Sequence, residues 1–193
     1  MQLNIYQAFL VISVSTFTLL TTPGYAANPE HVKQLLNTKM CVRCDLSGAN
    51  LEGANLSSAI LSQANLQEAN LQGANLQGAR LPQAILSQAN LQGANLQGAN
   101  LSQAFLFRAN LQEANLSQAN LSQTNPLQAN LQGANLQGAN LSQAFLPKAN
   151  LVGANLQGAT LFQANLLDAK LSKANLQGAF LQGAVMSDGK IHP

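Results

Sequence analysis

The sequence predicts an all-β solenoid whose chain turns once every five residues and closes a coil every twenty. Three observations carry this. Leu recurs every fifth residue from 46 to 181, with Pro126 the one break. Ala recurs two residues before those positions, and longer segments repeat at multiples of 20.

Of the 29 positions stepped by five from 46 to 186, only Pro126 and Met186 are not Leu. Two residues before each stands Ala, with Cys44 and Thr124 the exceptions. Asn usually lies between them, giving Ala-Asn-Leu-x-x, as in Gly73-Ala74-Asn75-Leu76-Gln77. On an α-helix, steps of five advance about 140° and would spread the leucines over every face. On a continuous strand an odd step would throw successive leucines to opposite sides. The chain must therefore turn within each repeat. Ala and Leu, two apart, share the inner side, Asn points out, and the two remaining residues make the corner. Twelve of the 14 glycines sit at the second corner position, including Gly48, Gly53 and Gly73. Permissive φ helps a tight turn there. Segment 91–106, LQGANLQGANLSQAFL, recurs unchanged at 131–146, and 71–86 is a close variant shifted by 20. Four repeats per coil follow, so the cross-section is square.

The chain divides into residues 1–26, 27–43, 44–188 and 189–193. The first is read as a signal peptide: Ile5 to Leu20 is mostly apolar, and Gly24 and Ala26 suit cleavage after Ala26. It has no Lys or Arg, so its only positive charge is the terminal amine, and the apolar run is short for a span of about 20 residues. Export to a periplasm, a thylakoid lumen or the extracellular space is expected, and an uncleaved anchor is the competing reading. Residues 27–43 form a capping helix and linker. Asn28 suits the N-cap, Pro29 the first turn, and Glu30 the positive helix end. Val32, Leu35 and Leu36 then make one apolar stripe over about 29–38. Residues 44–188 are the repeats, and 189–193 a C-terminal tail.

Charged residues are 8% of the 193 and the formal net charge is +2. That is too weak for a nucleic-acid footprint, and too positive for an acidic surface shaped like DNA. The two His and the acids Glu30, Asp45, Glu52, Glu68, Glu113, Asp168 and Asp188 are scattered along the ladder. Proton-transfer catalysis needs such groups gathered, so no catalytic, cofactor-binding or metal site is assigned. Cys41 and Cys44 are the only cysteines. In an oxidising compartment a disulfide pinning the cap is expected. Free thiols stay open, as does a thiol redox role, although the pair follows a helix and Cys44 takes an inward Ala position. Zinc would want four ligands, and His31 and His192 lie at opposite ends of the chain.

These residues resemble the pentapeptide-repeat family over roughly 44–188. The resemblance implies a right-handed quadrilateral parallel β-helix with Leu and Ala inward. Adjacent coils would lie about 4.8 Å apart, making about seven coils and a prism roughly 35 Å long. Exported cyanobacterial members are similar at the start too, with a helix and a Cys-x-x-Cys leading into the repeats. Here that is Cys41-Val42-Arg43-Cys44-Asp45-Leu46-Ser47-Gly48-Ala49-Asn50-Leu51. Each coil buries its core only against its neighbours, so the ends need caps.

The outward positions carry whatever function the chain has. Eleven are apolar: Ile60, Ile85, Phe105, Phe107, Leu127, Phe145, Val152, Phe162, Leu167, Phe180 and Val185. Sorted by the 20-residue coil, Ile85, Phe105, Phe107, Leu127, Phe145, Leu167 and Val185 fall on one face, joined by Pro147. A continuous apolar strip of this kind marks a candidate interaction face, although a stacked ladder also stabilises its own side. The expected function is a non-enzymatic interaction scaffold, binding a protein partner or a second copy, with no nucleic acid, no cofactor and no membrane span after cleavage. The resemblance also brings a second reading, the DNA-mimic topoisomerase inhibitor known among some family members. The charge balance and the export signal argue against it.

Overall fold

The computed structural model describes residues 27–193. The expected signal segment, residues 1–26, lies outside the described residues.

The one helix among them, α1, runs Pro29–Thr38. The Asn28 side chain accepts hydrogen bonds from the Glu30 and His31 amides, closing the helix start. Lys39, with φ 56°, ends it in the left-handed conformation and donates its amide to the Leu35 carbonyl. Leu35 is fully buried and Val32 packs against the core, but Leu36 is 53% exposed. The expected three-residue stripe is therefore two residues wide. Leu36 sits one helical step, about 100°, beyond Leu35 and misses the coil beneath.

After α1 the chain forms only single-residue parallel bridges, each joining a residue to the one 20 positions on, as in Asn70↔Asn90 and Asn90↔Asn110. Four five-residue sides per coil are thus observed. We call them side one (centred on Leu46, Leu66 and so on), side two (Leu51), side three (Leu56) and side four (Leu61). The all-β expectation needs one refinement: among the described residues no side contains a continuous strand. Two of every five residues turn the corner, which leaves room for one bridge per side.

One side shows the pattern of all. Leu91 donates its amide to the Asn110 carbonyl at 2.7 Å, and Gly93 to the Gln112 carbonyl at 2.9 Å, both one coil ahead. Ala94 donates back to the Leu91 carbonyl at 3.0 Å, closing a β-turn across the corner. The second corner residue has φ near +60° whether it is Gly93 (64°) or Gln103 (60°). Glycine suits the corner but is not required. Leu and Ala point inward, and most are fully buried; each buried Leu contributes about 1.5–3 kcal/mol.

The outward Asn ties the coil together twice. Its Oδ1 accepts the amide two residues ahead (Gln92 to Asn90, 3.2 Å), which fixes the corner. Its Nδ2 donates to the Asn one coil earlier (Asn110 to Asn90, 3.1 Å).

The two ends differ. At the first coil Leu46, Leu51 and Leu56 are at most 2% exposed. At the last, Leu171, Leu176 and Leu181 are only partly buried. Residues 189–193, expected as a tail, turn back instead: Ile191 makes an antiparallel bridge with Val185, and His192 donates to the Ala184 carbonyl. They cover side one alone.

Candidate interaction surface

Side one differs from the others in its outward columns. Ile85 and Phe105 are bridged neighbours in the column before the leucines, and Phe145 and Val185 continue it beyond Asn125 and around Asn165. The column after the leucines runs Phe107, Leu127, Pro147, Leu167 without interruption. Phe105 is half exposed (50%), Ile85, Phe145 and Leu167 are also exposed, Phe107, Leu127 and Val185 are half-buried, and Pro147 is buried. The fold thus brings all seven candidate face residues onto one side. Ile60, Phe162 and Phe180 belong to side four and Val152 to side two.

The strip has two distinct rims. One corner carries Glu68, Arg108, Lys148 and Asp168, all exposed and of both signs. Arg108 lies over the Phe107 ring, 4.9 Å from its centroid, and its Nε donates to Gln128 Oε1 at 2.8 Å. The other corner is an unbroken amide ladder. Arg43 Nε donates to Gln63 Oε1, and Gln63, Gln83, Gln103, Gln123 and Gln143 each donate to the next, ending on Gln163, at 2.6–3.1 Å. An apolar centre with a polar rim is the anatomy of a protein interface. Sequence reasoning missed the ladder, although Gln at six positions stepped by 20 was there to be sorted.

Midway along the strip lies the one faulty repeat. Pro126 has no amide to donate, so the Asn125–Phe145 bridge is absent and the Phe145 carbonyl receives no hydrogen bond among the described residues. Thr124, at an Ala position, is 1% exposed and returns its hydroxyl to the Leu121 carbonyl at 2.6 Å. Its extra bulk offsets part of the volume lost from Leu to Pro.

At the cap, a disulfide joins Cys41 and Cys44. Both are nearly inaccessible, at 0% and 4%. Beside them the Asp45 amide donates to His31 Nδ1 at 3.0 Å, which fastens α1 to the first coil. The Ser47 hydroxyl and amide and the Asn65 side chain donate to Asp45 Oδ1, holding its carboxyl below the ordinary range. Among the described residues no three of His, Cys, Asp or Glu gather into a metal-holding group. No helix among them is long and apolar enough to cross a membrane.

The family described as pentapeptide repeats (8 copies) matches at four places, over residues 41–78, 69–106, 109–147 and 149–188. The chain belongs to the pentapeptide-repeat family. With the family comes the right-handed β-helix solenoid, here preceded by one short helix. Among solved structures, this pentapeptide-repeat chain is similar to HetL, a protein involved in heterocyst differentiation regulation from the cyanobacterium Nostoc sp. strain PCC 7120. Identity is 41% over 79% of this chain and 76% of that one, with a TM-score of 0.41. It is similar to Rfr23 from the cyanobacterium Cyanothece 51142, at 30% identity over 78% and 92% of the two chains, TM-score 0.21. It is also similar to QnrB1, a plasmid-mediated fluoroquinolone resistance protein, at 18% identity over 77% and 75%, TM-score 0.42. No curated protein matches the sequence.

Proposed function

We propose that this chain is a non-enzymatic scaffold that binds a protein partner through the apolar strip of side one. The observation that carries the reading is the convergence of Ile85, Phe105, Phe107, Leu127, Phe145, Leu167 and Val185 on a single side of a rigid four-sided post. Solvent-facing Phe at 50% exposure is costly unless covered, while the flanking ladder and mixed charges keep the rims soluble and orient what docks. The titratable groups stay scattered, which supports binding over catalysis. The repeats carry Glu52, Glu68, Glu113 and Asp168 against Arg80, Arg108, Lys148, Lys170 and Lys173. That balance supports a protein partner over nucleic acid, and over action as a DNA mimic on a topoisomerase.

The same reading places the mature chain outside the cytoplasm, in a periplasm or thylakoid lumen, after cleavage behind Ala26. The Cys41–Cys44 disulfide supports an oxidising compartment, as does the apolar segment before it. Its two cysteines, at 0% and 4% exposure, are shielded from an attacking thiol, which weighs against a redox role.

The test replaces Phe105, Phe107 and Phe145 with Asn, the residue most outward sites already carry. The triple variant should melt like the parent yet lose the protein that the parent retains from extract of its own compartment. Equal retention by parent and variant would sink the reading.

A further inference from the structure

We infer that the partner element seated on side one is an amphipathic α-helix with one acidic flank, laid along the post. The inference rests on the reading of side one as the binding strip and adds what kind of structure covers it.

Backbone accounting excludes an added strand. From Leu66 to Leu166 every side-one amide that points along the post bonds to a neighbouring coil, and Pro126 has none to offer. The edge left at the last coil of side one is already taken by Ile191, which bridges Val185. A strand laid on the strip would bury its own unpaired backbone. A helix satisfies its backbone internally and carries no such cost.

Spacing points the same way. The strip runs from Ile85 to Val185, which at 20 residues per coil is five coils, or about 24 Å in length. An α-helix of about 16 residues spans that distance and brings one turn, about 5.4 Å, to each coil. An extended strand returns to the same face only about every 6.7 Å and falls out of step with the coils at once. Phe105 and Phe145 stand on one side of the inward leucines, and Phe107, Leu127 and Leu167 on the other. A ridge of helix side chains fits between two such columns.

The polar groups left free along the strip are donors. Elsewhere the outward Asn accepts the amide two residues on, as Asn90 does for Gln92. Ile85 and Phe105 replace that Asn, and the Ser87 and Phe107 amides have no partner among the described residues. Asn125 and Asn165 do accept from Leu127 and Leu167. Their Nδ2 groups have no ladder partner, because Phe105 and Phe145 stand one coil back. The exposed cations Arg108 and Lys148 lie on the rim beside this stretch, whereas Glu68 precedes the strip and Asp168 stands near its far end. Carboxylates along that flank of a partner meet both the cations and the free donors. The opposite rim, beyond Arg43, is the uncharged Gln63–Gln163 ladder, which spends its carbonyls on itself. One flank of the helix is therefore acidic and the other neutral.

A displayed library of random peptides of about 20 residues, panned on the purified chain, tests this. Peptides held by the parent and lost by the Phe105, Phe107 and Phe145 variant should carry apolar residues at every third or fourth position, with Asp or Glu on one flank. Synthetic copies should gain helical circular dichroism on binding, and a central Pro should weaken them about tenfold or more. Arg108→Glu with Lys148→Glu should weaken them about tenfold as well. That variant should melt like the parent, since Glu68 and Glu113 already hold the same left-handed corner conformation. Strip-dependent peptides that alternate every second residue, or that are rich in Lys and Arg, would overturn the inference. So would undiminished binding to the charge-reversed chain, or a library without strip-dependent peptides. The scaffold reading is decided separately, by retention from the extract.

Discussion

The Gln103 side chain donates to Gln123 Oε1 at 2.9 Å while both residues hold left-handed backbone, at φ 60° and 57°. For a non-glycine residue that conformation costs about 1–2 kcal/mol, yet it recurs all along this corner. The ladder supplies a compensation that Gly, common at the corners after sides two and three, cannot make.

Two substitutions separate the two effects. Gln103→Gly removes the backbone strain and the two amide bonds together, so stability should stay within about 1 kcal/mol of the parent. Gln103→Ala keeps the strain and loses the bonds, and should be the less stable variant by about 1 kcal/mol. Denaturant melts of the three proteins check the order. Ala as stable as the parent would mean that the ladder contributes nothing, and Ala as stable as Gly that the left-handed backbone costs nothing.

Thr124 and Pro126 should act as a compensated pair. Pro126→Leu alone restores the missing amide but drives a Leu against the larger Thr124 side chain, so its gain should be small. Adding Thr124→Ala rebuilds the regular repeat, and the double variant should exceed the parent by about 1–3 kcal/mol, more than the single changes sum to. Thermal melts of the parent, both singles and the double complete the cycle; strict additivity would show that the two positions do not share one space.

That pair also marks where the sequence was legible. The inward ladder, the 20-residue coil and the start of α1 at Asn28 could be read directly, because each is a local pattern with one geometric solution. Leu36 was misplaced because its burial depends on the tilt of α1 over the first coil, which periodicity does not encode. Residues 189–193 were read only as a tail, because Val185–Ile191 pairing is a single bridge without a turn motif strong enough to announce it. The side-one strip was visible in the coil register, but the Gln63–Gln163 ladder beside it hid among ordinary polar corners. Only side-chain directions reveal that those amides all point one way.

The Cys41–Cys44 disulfide lies beneath the cap, so a reductant should not reach it in the folded chain. Thiol titration should find none after reductant treatment of native protein, and two after treatment in denaturant. Replacing both cysteines with Ala should cost about 2 kcal/mol by the chain-entropy relation for so short a loop. Hydrogen exchange should place the loss in α1 and the first coil. Ready reduction of the native chain would mean that α1 lifts off.

Asp45 gives the cap a dependence on pH. Its carboxylate accepts the Ser47 hydroxyl at 2.7 Å, the Ser47 backbone amide at 3.2 Å and the Asn65 side-chain Nδ2 at 3.2 Å, and its pKa lies below the ordinary value chiefly through the Ser47 hydroxyl. A carboxyl with a lower pKa folded than unfolded binds fewer protons when folded. Its contribution is therefore complete above the unfolded pKa, near 4, and disappears as pH falls through the folded one. Because Asp45 is exposed, the effect should stay below about 1 kcal/mol. Asp45→Asn isolates the charge, since Asn115 already accepts the Ser117 amide and hydroxyl in the same way, at 3.2 and 2.8 Å. Between about pH 6 and 3 the parent's melting temperature should fall further than the variant's, with exchange at the first coil tracking the difference. Parallel curves would show that Ser47 holds Asp45 no more firmly when it is charged than when it is neutral.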